Sequence, residues 1–243
     1  MKYILKYLVL LVSISFILGS CTSISTVSAG MSPEQPQERP PVLPSIPQKI
    51  MSTGKVPPKD LARFLHQNNP KISDQEALLM ANLYHKEAAL ESVNSDIAFV
   101  QMCLETSFLR FGGLVTPDMH NYCGLGSIGP GKPGERFPTA QMGVRAHIQH
   151  LKAYASTEAL HQSLVDPRFK YVRRGSAPSI HDLAGRWASD REYGRKLEGL
   201  LKRLYQSAFG IATAEATSWK TGLYFSNYPT SGSTAGAVYV IDN

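Results

Sequence analysis

Proline placement decides how much of this chain can fold. Eight of its sixteen prolines fall between Pro33 and Pro58. Each proline fixes φ and removes a backbone donor, so such a stretch suits neither a helix interior nor a central strand. From Thr22 to Pro58 the chain is polar and without apolar periodicity, and Pro40-Pro41, Pro44 and Pro47 favour extended polyproline II. The globular part of the 243 residues is therefore expected over 59–210, with 21–58 a tether and 211–243 a Ser-, Thr-, Gly- and Tyr-rich tail of no assignable role. A hydrophobic content of 43% suffices for one core. Three cysteines are too few for a disulfide scaffold. The net charge of +6 comes without clustered Lys and Arg, so nucleic acid is not an expected partner.

Residues 1–20 read as an address. Lys2 and Lys6 precede an apolar run of 12 residues, Tyr7 to Leu18, too short to cross a bilayer comfortably. Leu18-Gly19-Ser20-Cys21 resembles the bacterial lipobox, which implies lipid transfer to Cys21 and cleavage before it. The expectation is an exported protein of the bacterial cell envelope, anchored to a membrane through Cys21. An extended tether at about 3.1 Å per residue would let the domain reach roughly 100 Å from that membrane.

Helical signals begin at Lys59. Asp60 to Gln67 is a short amphipathic piece stopped by Asn68-Asn69-Pro70. Ser73-Asp74-Gln75-Glu76 reads as a capping box opening a helix through Leu79, Leu83 and Ala88. A third helix runs from Asn94 or Ser95 to about Phe108. The segment Gly112 to Gly143 holds eight glycines and is too long for a plain connection, so it is either functional or a small β-element. Helix returns over Thr139 to Tyr154, with Val144, Ile148 and Leu151 on one face. Ser179 to Asp182 looks like a cap for a helix reaching Ala188. A last helix, Asp190 to Phe209, carries Tyr193, Leu197, Leu200 and Leu204 at core spacing. The body reads as mostly α.

Glu105 stands out on physical grounds. It sits near the end of an otherwise uncharged helical run, Ile97 to Leu109, and at helical spacing it shares a stripe with Ala98, Met102 and Phe108. Burial disfavours a carboxylate and raises its pKa, which is what a general acid at neutral pH requires. The structural alternative is a buried glutamate paired with Arg110 or Arg145.

Four segments carry a family resemblance: Ala98 to Ser107, with Glu105-Thr106 at its end; Asn121-Tyr122-Cys123-Gly124; Phe137 to Ala155; and Trp187-Ala188-Ser189-Asp190 through Tyr193. In this order, over about residues 75–207, they resemble the bacterial glucosaminidase domain of glycoside hydrolase family 73, with Trp187 standing where that family usually has tyrosine. The resemblance implies a lysozyme-like α+β fold with a small Gly-rich β-lobe, hydrolysing the N-acetylglucosaminyl bond of peptidoglycan glycan strands. It implies Glu105 as general acid, and a second carboxylate in the lobe, Asp118 or, preferably, Glu135. The alternative for Glu135 is a solvated charge neutralised by Arg136. Two carboxylates acting through a water would stand about 6.5–9.5 Å apart and invert the anomer. Tyr193 would position the sugar or the water while also beginning the core stripe of the last helix. Asn121 and Tyr122 would line the cleft, Gly124 would allow a tight turn, and Phe137 and Trp187 would either stack on sugar faces or pack in the core.

No cofactor is implied. His147 and His150 lie one turn apart but lack a third ligand at metal spacing. Cys103 and Cys123 form either a disulfide after export or free buried thiols. Two other readings compete: a lytic transglycosylase, against which stands the missing Gly-Leu-Met-Gln type motif after the glutamate, and a non-catalytic wall-binding lipoprotein that keeps the cleft.

Overall fold

The computed structural model describes residues 44–127, 129 and 131–209. The lipobox cysteine Cys21, the address segment and the tail 211–243 lie outside the described residues. Among these residues five α-helices carry the fold: α1 (Pro58–Asn68), α2 (Asp74–Leu90), α3 (Ser95–Glu105), α4 (Ala140–Ala155) and α5 (Tyr193–Phe209). Among the described residues, β-pairing is confined to the isolated bridges Lys49–Ser179, Gly129–Lys132 and Ala184–Ala188. The mostly-α reading holds. Among the described residues of the Gly-rich lobe, the backbone makes one 3₁₀ turn, Pro117–Met119, and one bridge rather than strands.

Local chemistry explains the helix starts. Ser73 accepts a bond from Glu76 N at the head of α2, Asn94 Oδ1 accepts from Asp96 N and Ile97 N at α3, and Thr139 accepts from Met142 N at α4. Helix α1 has no side-chain cap but begins with proline, whose missing N–H costs nothing there. The buried face of α2 runs through Ala77, Met80, Ala81, Tyr84 and Ala88, while Leu79 is 52% exposed. Helix α3 is buried on all sides from Ser95 to Cys103, as expected of a central helix without lysine or arginine.

Two expectations are corrected. The Pro-rich segment does not stay free as far as Pro58: Ile50 and Val56 are fully inside the core. Ile50 N donates to Pro178 O (3.0 Å), its carbonyl accepts from Asn94 N (2.8 Å), and Lys55 N donates to Asp96 Oδ2 (2.7 Å). Two apolar side chains placed among prolines suffice to dock an already extended strand, because little conformational entropy remains to be lost. Secondly, Ser179 starts no helix: its N–H and hydroxyl both donate to Asp182 Oδ2, and turns follow. A chain reversal there includes Gly185 at φ 74°, and helix resumes only at Tyr193.

Buried ion pairs fasten α2 to α4 and to the chain that follows it. Glu91 meets Lys152 at 2.9 Å with both side chains fully buried, and accepts further bonds from His161 N and Gln162 N. Glu87 meets Arg145 at 2.9 Å and accepts from Gln141 and Gln162. Such pairs are tolerable in a core only when the remaining lone pairs are also met.

Candidate active site

Glu105 is the last residue of α3. The next residue, Thr106, donates its hydroxyl to Met102 O (2.7 Å) and accepts from Leu109 N (2.9 Å). Ser107, Phe108 and Leu109 then adopt φ values of 51°, 59° and 59°, three successive left-handed residues, none of them glycine. Each costs about 1–2 kcal/mol. Burial of Phe108 beside Phe64 (5.8 Å between ring centres) and the bond from Asn69 Nδ2 to Phe108 O (2.8 Å) hold the turn. Strain that the surroundings must over-determine concentrates at functional sites.

Neutral donors steady the carboxyl group. Glu105 Oε1 accepts from Trp187 Nε1 at 3.1 Å and from the Tyr193 hydroxyl. Desolvation pushes its pKa up to about 7, against the opposing pull of these bonds from Tyr193 and Trp187. The arginines that would have made Glu105 a structural ion pair are engaged elsewhere: Arg145 with Glu87, and Arg110 with Asn68 O and Ser107 O. A carboxyl half protonated near neutrality can give a proton to an oxygen leaving group. Tyr193 is fully buried, its hydroxyl pKa is driven well above 10 mainly by burial, and it accepts from Gln101 Nε2 at 2.9 Å. Its ring packs in the core while its oxygen reaches Glu105.

Other expected site residues stand differently. Trp187 is 0% exposed, enclosed by His147, His150 and Tyr154 at ring distances of 5.2–5.7 Å. It offers no face to a sugar; its part is the bond to Glu105. Phe137 is also buried, its N–H bound to Met119 O and its carbonyl to His120 Nδ1. Tyr122 lies beneath the start of α4, where a Cβ on Gly143 would approach its ring to 3.3 Å. Asn121 is fully buried and spends its amide on the backbone: Nδ2 donates to Leu125 O and Glu135 O, and Oδ1 accepts from Leu125 N, at 2.9–3.0 Å. It ties the loop rather than lining a cleft. Gly124, at φ 68°, makes the tight turn that the tie encloses.

Through this tie Asn121 also anchors Glu135, whose N–H donates to Leu125 O at 2.8 Å. The partly exposed Glu135 carboxylate packs over Gly126 beside the Arg168 side chain. Arg136 does not neutralise it; its guanidinium binds Asp118 at 2.6 Å. Bonds from Thr116 and Arg136 hold the exposed Asp118 at about 2, so it stays an anion occupied by its own partners. Of the two lobe carboxylates, Glu135 is the one left for other chemistry.

The structure thus forms two groups: Glu105 with Tyr193, Trp187 and Gln101, and the Asn121–Gly124–Glu135 loop. Cys103 and Cys123 are buried and not bridged. Gln101 joins the site without an expected role, although it is the one polar residue in the run Ile97 to Leu104. His147, considered above as a metal ligand, instead has its nitrogens facing Tyr84 Oη (2.8 Å) and Gln101 Oε1 (3.1 Å).

A mostly helical, lysozyme-like frame with a neutral-range carboxyl at the end of its central helix has the equipment of a glycosidase. The chain belongs to the glucosaminidase family of glycoside hydrolases: the family profile, described as mannosyl-glycoprotein endo-beta-N-acetylglucosaminidase, matches residues 81–206. It is also 41% identical over 157 residues to a Borreliella burgdorferi protein described as "Uncharacterized protein", covering 65% of this chain and 77% of that one.

Proposed function

We propose that this protein is a peptidoglycan hydrolase that cleaves the β-1,4 bond on the reducing side of N-acetylglucosamine in glycan strands. Glu105 is the general acid, protonating the leaving glycosidic oxygen. Its partial burial at the end of α3 is the observation that carries this reading, because desolvation keeps a proton available near pH 7 in spite of the bonds from Tyr193 and Trp187. Tyr193 aims the carboxyl group, and Glu135 serves as base or electrostatic partner on the opposite side of the bond. The protein is exported and held at a membrane by lipid on Cys21, with the Pro-rich segment as spacer.

Mass spectrometry of purified peptidoglycan, digested by the detergent-solubilised full chain, tests the reading. Fragments ending in reducing N-acetylglucosamine, absent with Glu105→Gln, are expected. Anhydro-muramyl ends would instead identify a lytic transglycosylase. Binding to the insoluble wall without any fragments would identify a wall-binding protein.

A further inference from the structure

A line of buried polar side chains runs from Glu105 into the interior. The Tyr193 hydroxyl donates to Glu105 Oε1 and accepts from Gln101 Nε2 at 2.9 Å. Gln101 Oε1 faces His147 Nε2 at 3.1 Å, and His147 Nδ1 faces the Tyr84 hydroxyl at 2.8 Å. Tyr84, Gln101, His147 and Tyr193 are each 0% exposed. They come from α2, α3, α4 and α5 respectively, so four helices converge on one line of bonds.

The directions of these bonds are dictated in sequence. An ionised carboxylate only accepts, so Tyr193 must give it its single proton. The Tyr193 oxygen therefore receives an N–H from Gln101, which turns the Gln101 carbonyl toward His147. That carbonyl requires a donor, so His147 carries its proton on Nε2. Burial and the neighbouring His150 push the His147 pKa down to about 3, so the ring is neutral and has no second N–H. Nδ1 must then accept, and Tyr84 must donate. Every bond points toward the acid, and reversing any one of them disturbs the next.

We propose that Gln101, His147 and Tyr84 are positioning residues whose chain of bonds fixes the Tyr193 hydroxyl as a donor to Glu105 and holds the acid in one orientation. This rests on Glu105 being the acid. A packing network would need only satisfied partners; this one also needs a single direction. Chains of this kind strengthen their terminal bond, by about 10–30% per link in condensed-phase estimates. The donated bond favours the carboxylate, so the intact chain works against the upward push of burial on Glu105. Titratable groups around the line are Cys103 on α3, Tyr122 and Cys123 on the loop tied by Asn121, Tyr84 on α2, His147 and His150 on α4, and Tyr193 on α5. Burial drives Cys103, Tyr84 and Tyr193 upward and His147 downward, so none of these four changes charge near neutrality.

The test compares wild type with Gln101→Leu and Tyr84→Phe in the full chain. The protonated-carboxyl band of Glu105, identified by its loss in Glu105→Gln, is titrated by infrared difference spectroscopy without any substrate. The expected result is an upward move of the Glu105 titration point in both variants, larger for Gln101→Leu. On peptidoglycan, kcat falls about tenfold in Gln101→Leu with KM unchanged, and the alkaline limb of the rate profile moves up with the titration. Tyr84→Phe removes only an oxygen, so it carries the test if Gln101→Leu fails to fold. An unmoved titration point in folded variants overturns the proposal. If the band moves but wild type releases no fragments, the chain's hold on Glu105 stands and the catalytic reading of Glu105 fails.

Discussion

The frame around Glu105 and the Gly-rich lobe around Glu135 solve the same problem in opposite ways. In the frame, Trp187 from the turns before α5 and Tyr193 from α5 meet the carboxyl group itself; both are buried and neutral, and Tyr193 is bonded in turn to Gln101 of α3. In the lobe, the bonds go to backbone: Asn121 and Leu125 clasp the main chain of Glu135 and leave its carboxylate partly exposed over Gly126. The first arrangement sets a protonation state as well as a position. The second fixes the main chain that carries the carboxylate. The setting of Glu105 therefore depends on side chains gathered from distant parts of the chain, whereas Glu135 is held through Asn121 and the Leu125 carbonyl.

The sharpest way to break this contrast is Glu105→Gln. Turnover on peptidoglycan should fall by at least about a thousandfold while the far-ultraviolet spectrum stays native, since the amide keeps the shape and loses the proton. Stability gives the same variant a second signature. A folded pKa of about 7, raised from 4.5, means the native state binds this proton more tightly than the unfolded chain. The stabilisation is fully present below pH 4.5 and is lost as pH rises through 7. Above pH 7, Glu105→Gln should thus unfold less readily than wild type, by on the order of 2 kcal/mol in denaturant titrations.

Lys152→Met strikes the frame away from the acid. It leaves Glu91 charged and buried with only the His161 and Gln162 amides, and should cost about 3–5 kcal/mol in denaturant unfolding. Asn121→Ala strikes the lobe: three bonds to Leu125 and Glu135 vanish, with a loss on the order of 3 kcal/mol and an activity loss that follows the loosened Glu135. Asp118→Asn should matter least. Its exposed pair with Arg136 sits apart from both groups, and initial rates should stay within about twofold of wild type.

Glu105 was legible because an acid on an apolar stripe is a local anomaly, and Ser73, Asn94 and Thr139 mark helix starts within three residues of their partners. What periodicity does not carry is pairing at a distance. Gln101 and Tyr193 lie 92 positions apart, and Trp187 is 82 positions from Glu105, so no spacing rule announces that an indole left between sugar stacking and core packing donates to Glu105. Asn121 misled for a related reason: a polar residue beside glycines suits a cleft wall and a loop clasp equally well. Ile50 and Val56 were hidden by their surroundings, since prolines signal extended chain without saying whether that chain is docked.

The pH dependence of turnover by the wild-type chain on purified peptidoglycan tests the central claim most directly. An acid held near 7 predicts activity that falls as pH rises through neutrality. Activity already lost by pH 5, or unchanged from pH 5 to 9, would contradict Glu105 as the proton donor.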